Sequence, residues 1–197
     1  VPPSTIVSGG VSTLTFTLTN PTGVAQTNGA FGDTLANMAV AANQTTGGTC
    51  SPATALTAGQ TALGFGGLNI PAAGCTITLT VTSSTVGAQT NAAGGVSTAL
   101  LPAGPAASAA TLNVLGKPTI AKAFSPATIA PNATSTLTFT LANPGPVALT
   151  GASFTDSYGA TGLVNATPLT VGGSCTGVTT SASAGGNSFN LTAATLP

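Results

Sequence analysis

The chain has 197 residues, 42% of them hydrophobic and only 2% charged, with Lys117, Lys122, Asp33 and Asp156 giving a formal net charge of zero. Arg, Glu, His and Trp are absent, so no general acid–base pair, no His- or carboxylate-rich shell for a catalytic metal and no phosphate-binding basic patch can be assembled from side chains. Enzymatic activity, resident cofactors, nucleic-acid partners and membrane insertion are accordingly not expected, while a mean hydropathy of +0.47 argues against disorder, which goes with low hydrophobicity and high net charge.

From the amino end, the first strong element is Thr13–Thr19, in which Leu14, Phe16 and Leu18 alternate with threonines before Asn20-Pro21 ends the run. A period of two means a half-buried strand, and the β-branched threonine suits the solvent face of a pleated sheet. Phe31-Gly-Asp-Thr-Leu35 follows, and Asp33 is assigned to a turn, its carboxylate accepting backbone hydrogen bonds. A calcium role is disfavoured because calcium usually draws on several carboxylates and each repeat offers one. The longest apolar runs, such as Met38–Ala42 and Ala99–Leu101, are far too short for a spanning helix, which needs about 20 residues.

Cys50 follows a Gly-Gly-Thr turn, and Cys75 opens a strong strand whose alternation runs over Thr76–Thr82, on the same face as Ile77 and Leu79. A Cys50–Cys75 disulfide is therefore expected, which places the protein in an oxidising, extracellular or cell-surface setting. A catalytic thiolate is not expected, because no cationic neighbour is recognisable. The strand Ala110–Val114 then leads to Gly116-Lys117-Pro118, a Gly and Pro boundary.

Beyond that boundary the sequence repeats. Ser12-Thr-Leu-Thr-Phe-Thr-Leu-Thr-Asn-Pro21 returns as Ser135-Thr-Leu-Thr-Phe-Thr-Leu-Ala-Asn-Pro144, an offset of 123 with one substitution. The offset carries Phe31 and Asp33 onto Phe154 and Asp156, and drifts to 125 where Cys50 meets Cys175. Asp156 receives the same turn assignment as Asp33, and Cys175 is expected to be unpaired or bonded to another chain. Lys117 and Lys122 flank the junction and read as solvated linker charges, since no Ser-x-x-Lys or nucleophile-elbow motif accompanies them. The sequons at Asn43, Asn132, Asn165 and Asn190 are common by chance in so Thr-rich a chain.

The expected layout is a first β-sandwich repeat over residues 1–115, lacking its first strand because Val1 aligns with Phe124, and a second over 116–197, lacking its C-terminal strands; either the stretch is a window on a longer array, or neighbouring chains supply the missing strands. Many short strands punctuated by turns, with no helical pattern, indicate Greek-key sandwiches of seven to nine strands per module. Any export signal is expected outside the stretch that begins at Val1.

Lys117-Pro-Thr-Ile-Ala-Lys-Ala-Phe-Ser-Pro-Ala-Thr-Ile-Ala-Pro131, with Ser135–Pro144, Phe154-Thr-Asp156, Gly172-Gly-Ser-Cys175 and Ala73-Gly-Cys-Thr-Ile-Thr-Leu-Thr-Val81, resembles the tandem repeats of large bacterial surface and secreted proteins, known mainly as conserved repeats of unknown function. The resemblance covers nearly the whole chain. It implies all-β, tandem immunoglobulin-like Greek-key sandwiches in a stalk, adhesin or extracellular fibre. The near-absence of charge here departs from such repeats and favours self-association, so the expected partners are copies of the chain, in a filament or sheath completed by donated strands. The alternative is a stalk or binding module of an adhesin that recognises surface glycans, for which the Gly-, Ala-, Ser- and Thr-rich loops offer no identifiable site. With almost nothing to titrate, the fold is expected to be indifferent to pH between about 4 and 8.

Overall fold

The computed structural model describes residues 4–159 and 162–197. The alignment of Val1 with Phe124 lies outside the described residues. Among those residues the protein is all-β, with sixteen strands in several small sheets and no helix. Two compact units are formed, Val1–Gly116 and Lys117–Pro197.

In unit one, β1 (Thr5–Val7) is followed by β2 (Val11–Leu18) and β3 (Gln26–Thr34), then by four two-residue strands, β4 (Ala39–Val40), β5 (Gln44–Thr45), β6 (Gly47–Gly48) and β7 (Ala55–Leu56). The long strands β8 (Ala62–Ile70) and β9 (Cys75–Thr82) come next, then β10 (Gly87–Asn91) and β11 (Ala110–Leu115). Eleven strands stand where seven to nine were expected. The excess is the four short pieces, which tack the connection between β3 and β8 onto β9 and onto itself and carry too few residues for any periodic signal.

The Thr/aliphatic alternation sets the register of β2 against β9. Leu14, Phe16 and Leu18 stand opposite Leu79, Ile77 and Cys75 on the inner face, while Thr13, Thr15 and Thr17 stand opposite Thr80, Thr78 and Thr76 on the outer one. A one-residue slip would turn the whole apolar set outward, so burial of one face fixes this register. A second sheet pairs β3 with β8, bringing Phe31 opposite Phe65. A third runs β1-β11-β10, with β1 parallel to β11. The core lies between these sheets: Phe16 meets Phe31 and Phe65 edge-on, with centroids 5.3 and 5.5 Å apart, and Phe31 stacks on Phe65 at 4.6 Å. Leu68 and Val114 are fully buried beside them.

Each Asn-Pro that ends a long strand has a mechanical role. Asn20 Nδ2 donates to the carbonyls of Val24, Pro71 and Ile70 at 2.8, 3.0 and 3.3 Å, tying the end of β2 to the end of β8. Asn143 repeats the arrangement, donating to Val147 and Pro197 at 2.8 and 3.1 Å. The turn beside this clamp requires glycine: Gly74 has φ +78°, and a Cβ there would strike the Leu18 carbonyl oxygen.

Unit two contains β12 (Thr119–Ser125), β13 (Thr136–Ala142), β14 (Leu149–Ser157), β15 (Thr179–Ser181) and β16 (Ser188–Leu196). β12 pairs with β13, and β16 lies between β14 and β15. Phe139, Phe154 and Phe189 form a triad equivalent to the one in unit one, with centroid separations of 4.7 to 5.9 Å. The inward residues Leu137, Phe139 and Leu141 are only half-buried, whereas Phe16 and Leu18 are buried.

The turn assignments of Asp33 and Asp156 are corrected by the structure. Both lie within strands, β3 and β14, each two residues after an inward phenylalanine and therefore on the same face as it. Gly-Asp-Thr and Thr-Asp-Ser have turn-like composition, but the period-two placement on the core face prevails.

Candidate functional site

The least ordinary feature of unit one lies along β2. Within its sheet β2 is an edge strand: β9 takes one side, and no described strand takes the other. Unpaired strand edges are templates for another strand. Beside β2 runs a groove of about 130 Å³, lined by Leu14, Phe16, Leu18, Asn91, Ala93 and Val96 among others.

Asn91, which lines this groove, is hydrogen-bonded to Asp33. Asp33, 6% exposed, accepts a 2.8 Å hydrogen bond at Oδ2 from Nδ2 of Asn91, which is 7% exposed. Among the described residues Oδ1 of Asp33 and Oδ1 of Asn91 are buried without any hydrogen-bond partner. Burying unsatisfied polar atoms is costly, and more so in a carboxylate that lacks a cation. Asp33 could be singled out in the sequence because charge is so rare. Asn91, 58 positions away, carried no local signal; the chain just after β10 is joined to β3 by the Gly94 amide donating to the Gly32 carbonyl and by the Ala30–Ser97 bridge.

In unit two the equivalent carboxylate has a cation. Lys122, on β12, holds Asp156 through Nζ at 2.6 Å from Oδ2. Lys122 is thus ion-paired, within strand β12 rather than in a linker, while its side chain stays partly exposed. Its ammonium also lies over the rings of Phe124, Phe139 and Tyr158, 5.6 to 6.0 Å from their centroids, a favourable cation–π setting. Both members are partly exposed, so the pair itself adds little stability. Lys117 has no described ion-pair partner.

Tyr158 closes this cluster. Its hydroxyl donates to Asn165 Oδ1 at 2.9 Å. Burial, and secondarily the Asp156 carboxylate, push the phenol above its ordinary value of 10.0, while Lys122 opposes them. Above that value the unfolded chain gives up the proton before the folded one does, so this contribution to stability is present below about pH 10 and is lost as pH rises through the folded value. The thermal midpoint of unit two should fall above about pH 10, and Tyr158→Phe should flatten that fall. A midpoint in the parent that ignores the phenol titration contradicts this reading.

The cysteines have separate fates. Cys50 and Cys75 are disulfide-bonded, with Cα atoms 5.0 Å apart, joining the turn after β6 to the start of β9. The bond is consistent with an extracellular location. Cys175 is a free, partly exposed thiol. Of the sequon asparagines, Asn165 is buried, and its Nδ2 donates to the carbonyls of Ser183 and Ser188, both at 3.0 Å, so it is a structural hub rather than a glycan acceptor. Asn43 Oδ1 accepts from the Ala58 amide, and Asn190 Oδ1 accepts from the Thr155 hydroxyl. Among the described residues no group of three or more His, Cys, Asp or Glu side chains is arranged to hold a metal ion.

No curated protein and no solved structure matches the chain. A family model described as a domain of unknown function, DUF7933, matches residues 2–114 and 118–197. Spanning both units as it does, that match means that the chain belongs to the DUF7933 family.

Proposed function

We infer that the chain is a structural repeat of an extracellular bacterial fibre, filament or sheath, whose immunoglobulin-like, Greek-key modules complete one another by strand donation. One observation carries this reading. β2 and β13 are nearly the same sequence, yet β13 has β12 beside it whereas the equivalent edge of β2 opens onto a groove. An unpaired strand edge of this kind is a template for strand addition.

The uncharged surface supports the same reading, since it provides little repulsion between copies. The role is mechanical rather than catalytic, with no cofactor, nucleic acid or membrane involved. Negative-stain microscopy of the purified chain tests it. Long regular fibres are expected, and particles that stay dispersed at every concentration would overturn it.

A further inference from the structure

We propose that Asn28-Gly29, within β3, is a self-modification site: the Gly29 amide nitrogen displaces ammonia from the Asn28 side chain, and the ring so formed opens with water to aspartate or isoaspartate. The site stands apart from the fibre reading and lies wholly within unit one.

Two separate constraints create the pair. Asn28 has φ +53°, in the left-handed region, and unit two has Gly151 at φ +73° in the matching position, 123 residues on. Asparagine and glycine are the residues that enter this region at least cost. The register of β3 against β8 shifts on both sides of Gly29, and that of β14 against β16 shifts on both sides of Ala152. The left-handed residue therefore belongs to the same bulge in both repeats. Position 29 is fixed by packing instead: a Cβ there would stand 2.8 Å from Ile70 Cδ1 and 3.2 Å from Leu68 Cβ. In unit two Ala152 faces Ala194 where Gly29 faces Leu68, and the smaller partner leaves room for a methyl group. Backbone conformation thus allows asparagine at one position, and packing demands glycine at the next.

That juxtaposition brings a nucleophile and an electrophile together. Asn28 is exposed, and among the described residues no hydrogen bond fixes its carboxamide. Glycine has no side chain to hinder its nitrogen and is the residue most free to turn. A bulge disrupts the ladder locally, which loosens the hold on the Gly29 amide. No other asparagine of the chain precedes glycine; Asn187, followed by Ser188, comes nearest in kind. A water-borne base removes the Gly29 N–H proton as the nitrogen attacks Asn28 Cγ, an intramolecular step with a high effective concentration. The N–Cγ bond forms, the Cγ–Nδ2 bond breaks, and Nδ2 leaves as ammonia with one added proton. Water then adds to either ring carbonyl and breaks its bond to the nitrogen. Opening at the Asn28 backbone carbonyl leaves isoaspartate, one methylene longer in the main chain; opening at Cγ leaves aspartate. The balance is asparagine plus water giving a carboxylate plus ammonium ion. The chain's formal charge moves from zero to minus one, and the longer main chain falls in the strand that carries Phe31 and Asp33.

Peptide mapping by mass spectrometry, after warm incubation of the full chain at mildly alkaline pH, tests the site beside a synthetic peptide covering Val24–Gly32. In the folded chain the segment bearing Asn28 should split into two acidic products. Its rate should lie no more than about tenfold below that of the free peptide, as for a segment that opens at little local cost. Asn187 should stay intact over the same period, and native isoelectric focusing should show the chain gaining one acidic step. Asn28→Gly, which installs the residue that unit two uses there, should keep the fold and abolish both the products and the acidic step. An Asn28 that persists in the folded chain while the free peptide converts would overturn the site, because β3 would then be holding the Gly29 amide in its ladder. Equal conversion at Asn187 would overturn it too, since the reaction would owe nothing to this pair. Neither outcome bears on the fibre reading, which microscopy decides.

Discussion

Replacing Cys50 and Cys75 together by alanine should lower the stability of unit one by about 3 to 4 kcal/mol. That is the chain-entropy value for a closed loop of this size, set by a sequence separation of 25. The loop it closes contains β7, a two-residue piece, and the long strand β8. The bond also fixes the start of β9, the strand that pairs with β2, β4 and β6. Loss of the bond should therefore be felt twice, as a looser loop and as a less anchored central strand. Peptide-resolved hydrogen exchange is the suitable measurement, since it separates the two units without assuming that they unfold together. Protection in β9 should fall by roughly two to three orders of magnitude, the equivalent of that free energy at about 1.4 kcal/mol per factor of ten. Unchanged protection in β9 would mean that the sheet, not the disulfide, carries the loop.

Phe65→Ala should cost about 3 to 5 kcal/mol, the usual range for truncating a buried aromatic side chain. Phe65 is 3% exposed, stacks on Phe31 and meets Phe16 edge-on, so its removal leaves a cavity bordered by two rings from different strands. Those rings belong to β2 and β3, and both are pinned by their own ladders. The site cannot collapse cheaply, which places the expected value in the upper part of the range. A denaturant titration followed by far-ultraviolet circular dichroism reads it. A loss below about 1 kcal/mol would show that the triad repacks, as cores with freely adjustable neighbours do. The comparison with Phe189→Ala is informative, because the second triad is only half-buried and the same truncation there should cost less.

What could be read from the sequence was what depends on period and repetition. The threonine alternation gave β2 and β9 to within two residues at either end, and Cys75 took its inward side from the odd-numbered face shared with Ile77 and Leu79. The offset between repeats anticipated that Phe31 and Phe154 are equivalent, although the phenylalanine triads that result could be seen only once β8 and β16 were in place. Asp33 and Asp156 were misplaced because a short Gly or Thr neighbourhood looks alike in a turn and in a strand. Their partners were hidden for a different reason: Asn91 and Lys122 reach them across 58 and 34 positions, through contacts between different sheets that leave no local trace. The candidate site is thus the part of the molecule least visible in one dimension, because both its groove and its orphan oxygens arise from which edges happen to meet.

The outer face of the β2–β9 pair has a consequence for the setting in which such a protein can work. Hydroxyls facing hydroxyls, Thr13 to Thr80, Thr15 to Thr78 and Thr17 to Thr76, cover that face without a single formal charge. Dissolved ions weaken attraction and repulsion between exposed charges over about 10 Å at moderate ionic strength, and here they find nothing to screen. Cohesion along this face should be the same in fresh water and in brine.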